Sequence, residues 1–160
     1  MTLSTSTELL GDIVDEALRH ISRKTGNHTV RALLEDDLLL VRADARRVVQ
    51  VLINIVDNAI KYTEPGSAIL ITARQNGSMA EVRIADTGPG IPDGEKARVF
   101  EKFYCGAHKV ADNRRSLGLG LYLCKAIVEA HGGSICVTDN QPHGAVFCFT
   151  LPLGEVTLHE

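Results

Sequence analysis

The chain has 160 residues, 44% of them hydrophobic and 23% charged, and carries a net charge of −3. That length fits one domain with a real core, and the charge balance offers no basic field for nucleic acid. Apolar runs are too short for a membrane span or a signal peptide, so no membrane contact is expected of these residues. The four cysteines, Cys105, Cys124, Cys136 and Cys148, show no zinc or CxxC spacing and read as reduced thiols of a cytoplasmic domain.

Residues 8–22 repeat Leu9, Leu10, Ile13, Val14, Ala17, Leu18 and Ile21 at helical spacing, and Gly26-Asn27 ends the run. Short strands are expected at 28–35 and 38–42, with Asp44 as the cap of a long helix over 44–62. On that helix Val48, Val51, Leu52, Ile55, Val56, Ala59 and Ile60 face a core. Arg47, Gln50, Asn54, Asp57, Asn58 and Lys61 fall within an arc of roughly 100° on the other side. No i,i+4 ladder of opposite charges is expected to account for this stripe. Amide and carboxylate oxygens are hard donors suited to Mg²⁺, and a neighbouring lysine suits phosphate.

Glu64-Pro65-Gly66-Ser67 is a turn, and residues 68–75 and 79–86 form a hairpin about Asn76-Gly77-Ser78. A short helix is expected near 95–100 and an apolar one over 119–130, stopped by Gly132-Gly133. Strands 134–139 and 145–151 close the chain, with Ile135 facing Phe149, Val137 facing Phe147 and Cys136 opposite Cys148. This order of strands and helices predicts an α+β two-layer sandwich. Its sheet is mixed, mostly antiparallel, of about five strands, with helices packed on one face.

The run Asp86-Thr87-Gly88-Pro89-Gly90-Ile91-Pro92 follows a strand that ends in a carboxylate. Its glycines admit a ligand close to the backbone, and Asp86 accepts from a planar donor such as an adenine amine. Phe100-Glu101-Lys102-Phe103 comes next, then Ser116-Leu117-Gly118-Leu119-Gly120-Leu121 leading into a helix. Glycines at a helix start present amides to phosphate. In this order and spacing the segments resemble the N, G1, F and G2 boxes of the ATP-binding catalytic domain of sensor histidine kinases. That group also holds DNA gyrase, the Hsp90 chaperones and MutL. The resemblance covers about residues 8–153, includes His131-Gly132-Gly133, and is closest in character to the Kdp-type potassium-responsive sensor kinases.

The resemblance implies the Bergerat (GHKL) fold and a division of labour. Asn58 matches the Mg²⁺ ligand, with Asn54 supporting metal and phosphate. Lys61 matches a phosphate contact, Tyr62 lies beside the nucleotide, and Asp57 belongs to the same box. Asp86 matches the carboxylate that reads the adenine amine, with Gly88, Gly90 and Ile91 shaping the pocket. Phe103, Leu117, Gly118, Leu119, Gly120 and Leu121 complete the nucleotide-contacting set, under a lid over 104–117. Asn54 stands where gyrase-like ATPases carry a water-activating glutamate, and an amide is no general base. Transfer is thereby favoured over hydrolysis.

Two departures fall in the lid: Cys105 stands where the family commonly has an arginine, and Ser116 where it has a glycine. A thiol replaces neither the charge nor the forked donors of a guanidinium; Lys102, Lys109, Arg114 and Arg115 are the cations left nearby. The acceptor histidine motif is absent, and His20 does not match it. The chain is therefore expected to be a monomeric catalytic fragment of a longer sensor kinase, on the cytoplasmic side of a bacterial membrane protein. Its partners would be the parent's dimerisation domain and, through it, a response regulator. A catalytically weak nucleotide-binding module of the same fold is the alternative. A gyrase-like ATPase is disfavoured by Asn54, and an anti-sigma-factor serine kinase by the F box.

Overall fold

The computed structural model describes residues 1–22, 26–101 and 120–155. In chain order the elements are β1 (Ser6–Leu9), α1 (Leu10–Ile21), β2 (Thr29–Leu34), β3 (Leu40–Ala43) and α2 (Ala45–Tyr62). They continue with β4 (Ala68–Asn76), β5 (Met79–Asp86), α3 (Asp93–Lys96), α4 (Gly120–Ala130), β6 (Ile135–Asp139) and β7 (Ala145–Pro152). Five strands form one sheet in the order β2-β4-β5-β7-β6. Only β2 and β4 are parallel, joined by a crossover through β3 and α2.

Every second residue of the inner strands faces the helices. Ile71 opposes Ile84 and Ile84 opposes Phe147; Ala73 opposes Val82 and Val82 opposes Phe149. These side chains are buried against Val14 and Ile13 of α1, Val51, Leu52 and Ile55 of α2, and Ile127 of α4. Helix α2 lies between α1 and α4, so its apolar side is enclosed and its polar side lies at the margin. The two-layer sandwich with helices on one face is the architecture expected. The closing hairpin has the expected register, Ile135↔Phe149, Cys136↔Cys148 and Val137↔Phe147, and Cys124, Cys136 and Cys148 are free thiols. No described helix is long and apolar enough to cross a membrane.

Three local expectations are corrected. Residues 6–9 are a strand, paired antiparallel with β3, and the helix starts only at Leu10. A partner strand some thirty residues away decides this, and helical periodicity does not sense it. Asp44 occupies the N-cap position of α2 but makes no side-chain cap. Its Oδ2 accepts from the Ser4 amide at 3.0 Å, a bond that above all holds its carboxyl below the usual range. The short helix runs over Asp93–Lys96, earlier than expected, with Pro92 at its N-cap and Asp93 and Glu95 in its first turn.

The His131-Gly132-Gly133 stop has a physical basis. His131 is buried, 7% exposed; its Nδ1 lies 2.8 Å from the Ile127 carbonyl, and its Nε2 accepts from the Asp44 amide at 3.0 Å. These two bonds require the neutral ring protonated on Nδ1, and they lock the end of α4 to the start of α2. A Cβ on Gly133 would overlap the Thr150 carbonyl oxygen of β7, so only glycine lets α4 pass into β6 here.

Candidate functional site

The site is organised by Asp86, the last residue of β5, which is 6% exposed. Its Oδ1 accepts from the Gly88 amide at 2.9 Å and from the Ala145 amide at 3.1 Å. Its carbonyl accepts from Asn140 Nδ2 at 2.6 Å. Oδ2 has no hydrogen-bond partner among the described residues and is the free acceptor of the group. A buried carboxylate with one oxygen fixed by two amides presents the other in a set direction, as recognition of a planar donor requires.

Glycines make the enclosure. A Cβ on Gly88 would lie 2.5 Å from Thr63 Cγ2 and 3.3 Å from Asp86 Oδ1, and one on Gly90 would lie 3.1 Å from the Gly144 carbonyl oxygen. The end of α2 therefore rests against the turn after β5, and two motifs separated in sequence meet. Thr63, just past Tyr62, is held in turn: its Oγ1 donates to the Ala59 carbonyl at 2.7 Å and contacts His28 Nε2 at 2.8 Å. Since the hydroxyl proton is used on Ala59, His28 Nε2 is the donor. Ile91, in the turn after β5, is half-buried, its carbonyl accepting from Lys96 Nζ at 2.9 Å. The turn between β6 and β7 supplies the remaining wall: Asn140, His143, whose Nδ1 is 3.1 Å from the Gly88 carbonyl, and Gly144. Sequence reasoning missed this wall, because only the β5–β7 pairing brings it to Asp86.

Along α2 the polar stripe divides. Asn54 stands near the Cys124 sulfur of α4 and opposes the rise of its thiol, while Cys124 Sγ donates to the Val51 carbonyl at 3.6 Å. Burial pushes the Cys124 thiol up to about 12, so the sulfur stays protonated. Asn58 lies one turn further on, half-buried, with no hydrogen-bond partner for its amide among the described residues. Asp57 sits on the α1 side, lining a shallow groove with Ile21, Ile53, Val56 and Ile60, and pairs with Lys61 Nζ at 3.1 Å. This i,i+4 ion pair corrects the expectation that the stripe holds none. It positions Lys61 and is worth only about 0.2–0.5 kcal/mol as an exposed pair.

Gly120 opens α4 with no described residue within 4 Å of where a Cβ would stand, and Leu121 packs half-buried against the core. Phe103, Leu117, Gly118 and Leu119, together with the lid residues Cys105 and Ser116, lie outside the described residues. Among the described residues no group of three or more His, Cys, Asp or Glu is placed to hold a metal.

A directed carboxylate at a strand end, a glycine-built pocket and an amide-lined helix, on a two-layer α+β sandwich, define a nucleotide-binding class of domain. The chain belongs to the family of histidine kinase-, DNA gyrase B- and HSP90-like ATPases, which it matches over residues 43–155. It is 37% identical over 145 residues to the sensor protein KdpD of Clostridium acetobutylicum, covering 91% of this chain and 16% of that one. It is 40% identical over 147 residues to the adaptive-response sensory kinase SasA of a Nostoc species, covering 91% and 35%. The catalytic domain of the histidine kinase ThkA superposes with a TM-score of 0.82 at 31% identity, over 94% of this chain and 96% of that one. ThkA has also been solved in complex with the response regulator protein TrrA, matched with a TM-score of 0.78 at 30% identity over 92% and 41%. The family and fold expected from the boxes, Kdp-type relatives included, are borne out. The chain spans 16% and 35% of the lengths of these two sensor relatives.

Proposed function

We propose that this chain binds ATP with Mg²⁺ and transfers the γ-phosphoryl group to a histidine on the dimerisation domain of a parent two-component sensor kinase. The parent then passes the phosphate to a response regulator, from the cytoplasmic side of the membrane. The observation that carries the reading is Asp86, buried, tied through Oδ1 to Gly88 and Ala145, with Oδ2 left for the adenine amine.

The donor set fits the metal: Asn58 and Asn54, both half-buried on α2, offer amide oxygens, as a hard cation prefers. When bound, Mg²⁺ supplies charge neutralisation across the phosphates. Lys61, oriented by Asp57, contacts phosphate, and Tyr62 lies beside the nucleotide. Gly118 and Gly120 bring amides to the phosphates, while Ile91, Phe103, Leu117, Leu119 and Leu121 line the nucleotide. Asn54 is an amide and cannot serve as a base for water. Phosphoryl transfer then depends on positioning rather than proton abstraction.

Calorimetric titration with ATP and ADP, with and without Mg²⁺, tests the binding half against Asp86→Asn. Binding that Asp86→Asn abolishes supports the pocket; equal binding by the variant refutes it. Labelled transfer to an added dimerisation domain tests the second half. Cys105 and Ser116 favour a second reading, a nucleotide-holding module with weak turnover. Cys105→Arg should raise transfer, and a fall would refute this account of the lid.

A further inference from the structure

Helices α1, α2 and α4 cover one face of the sheet, and the other face carries a row that the nucleotide site does not use. Leu33, Thr72, Arg83, Cys148 and Cys136 stand in register across all five strands. Cys136 is exposed and Cys148 half-buried, both as free thiols. Thr150 donates to Ser134 at 3.0 Å and Asn140 to Gly144 at 2.9 Å. An antiparallel ladder alternates, so Cys136 and Cys148, an even number of residues from both, form a hydrogen-bonded pair. Such a pair sets Cα atoms about 5.5 Å apart, inside the range of about 4.4–6.8 Å that disulfides span. Their Cβ atoms stand about 4.5–5.5 Å apart against about 3.8 Å in a cystine, so closing the bond draws β6 and β7 together.

Both strands lead from this pair to Asp86. Three residues before Cys148, the Ala145 amide holds Asp86 Oδ1 at 3.1 Å. Four residues after Cys136, Asn140 Nδ2 holds the Asp86 carbonyl at 2.6 Å. We propose that Cys136 and Cys148 are a redox dithiol, oxidised by a small disulfide such as oxidised glutathione to a cross-strand disulfide that loosens the grip on Asp86. The Cys136 thiolate attacks one sulfur of the oxidant, forming a mixed disulfide and releasing one glutathione thiolate, which takes up a proton. Cys148 then attacks the Cys136 sulfur, gives its own proton to water and releases the second glutathione. Two protein thiols lose two electrons and two protons, and one small disulfide becomes two thiols.

The order follows from the surroundings. Burial pushes the Cys148 thiol up to about 11; Glu81 and Cys136 add to the rise, and Arg83 and Arg74 oppose it. Exposed Cys136 is therefore the first attacker, and closure by Cys148 is slow at neutral pH and quickens as pH rises.

The test incubates the whole chain in reduced and oxidised glutathione, then cleaves it without reductant after acidic residues, which separates Cys136 from Cys148 at Asp139. The expected result is a transient glutathione adduct on Cys136, then a covalent link between the two peptides. Nucleotide affinity should fall about fivefold or more, return with dithiothreitol, and be unaffected by oxidant in Cys148→Ala. Cys136→Ser, at an exposed position, is the second variant and should form no link. A permanent adduct, thiols left free in excess oxidant, or a link to Cys105 would overturn the dithiol. Linkage with unchanged affinity would overturn its coupling to Asp86. The affinity readout rests on the nucleotide reading; if the reduced chain binds no nucleotide, that reading fails while peptide linkage still decides the dithiol.

Discussion

Gly144→Ala probes the arrangement around Asp86 most directly. Gly144 has φ +114°, and a Cβ there would overlap the Asp86 carbonyl oxygen and lie 3.1 Å from Oδ1. Neither neighbour is a flexible chain end, so the β6–β7 turn has to move off the strand. The substitution adds about 1–3 kcal/mol of backbone strain. Losing the Ala145 bond to a carboxylate costs about 1.5–3 kcal/mol more. Together these lower the melting temperature by roughly 10 °C in a chain of this size, and loss of Asp86's orientation weakens nucleotide binding about tenfold or more. Gly77→Ala is the control, with φ +64° and nothing within 4 Å of an added Cβ; it bears strain alone. Thermal unfolding and titration calorimetry on both variants separate the two effects. If Gly144→Ala bound nucleotide as Gly77→Ala does, the turn would not be holding the carboxylate.

Gly133→Ala should destabilise by about 3 kcal/mol or more, read from denaturant midpoints, because its Cβ would overlap the Thr150 carbonyl oxygen. Lys61→Ala should cost under about 0.5 kcal/mol of stability yet weaken ATP more than adenosine in titrations, since its pair with Asp57 is exposed. Cys124, raised by burial to about 12 in the fold, keeps its proton where the unfolded thiol loses it near 8.5. Its contribution is therefore complete below about pH 8.5 and is lost as pH rises toward 12, at up to about 1.4 kcal/mol per unit. Unfolding curves at pH 7, 9 and 10 should show a shallower alkaline decline in Cys124→Ala than in the native chain.

What the sequence disclosed was set by the range of the interaction. The core face of α2 and the pairing of Cys136 with Cys148 follow from periods of 3.6 and 2, which neighbouring residues carry. Strand β1 depends on β3, and the cap expected of Asp44 was displaced by an amide forty residues earlier, at Ser4. Asp86, Gly88 and Gly90 were legible because carboxylate and glycines are contiguous. Asn140, His143 and Gly144 were not, since a turn reads as a turn until the β5–β7 register brings it under Asp86. His28 and Thr63 escaped for the same reason: their hydrogen bond joins the start of β2 to the end of α2.

The two ends of the site are held differently, and this bears on what each does. At the proposed adenine end the carboxylate is buried and two backbone amides fix it, so its direction is set before any ligand arrives. At the proposed phosphate end, among the described residues, the Asn58 amide has no hydrogen-bond partner and exposed Lys61 pairs with Asp57. A pocket built this way gains affinity and base selectivity from the rigid end. It leaves phosphate geometry to side chains that settle once the triphosphate is present. Under the proposed transfer, that arrangement suits a phosphate that departs to an acceptor on another domain, because holding the γ-phosphate as firmly as the adenine would oppose its release.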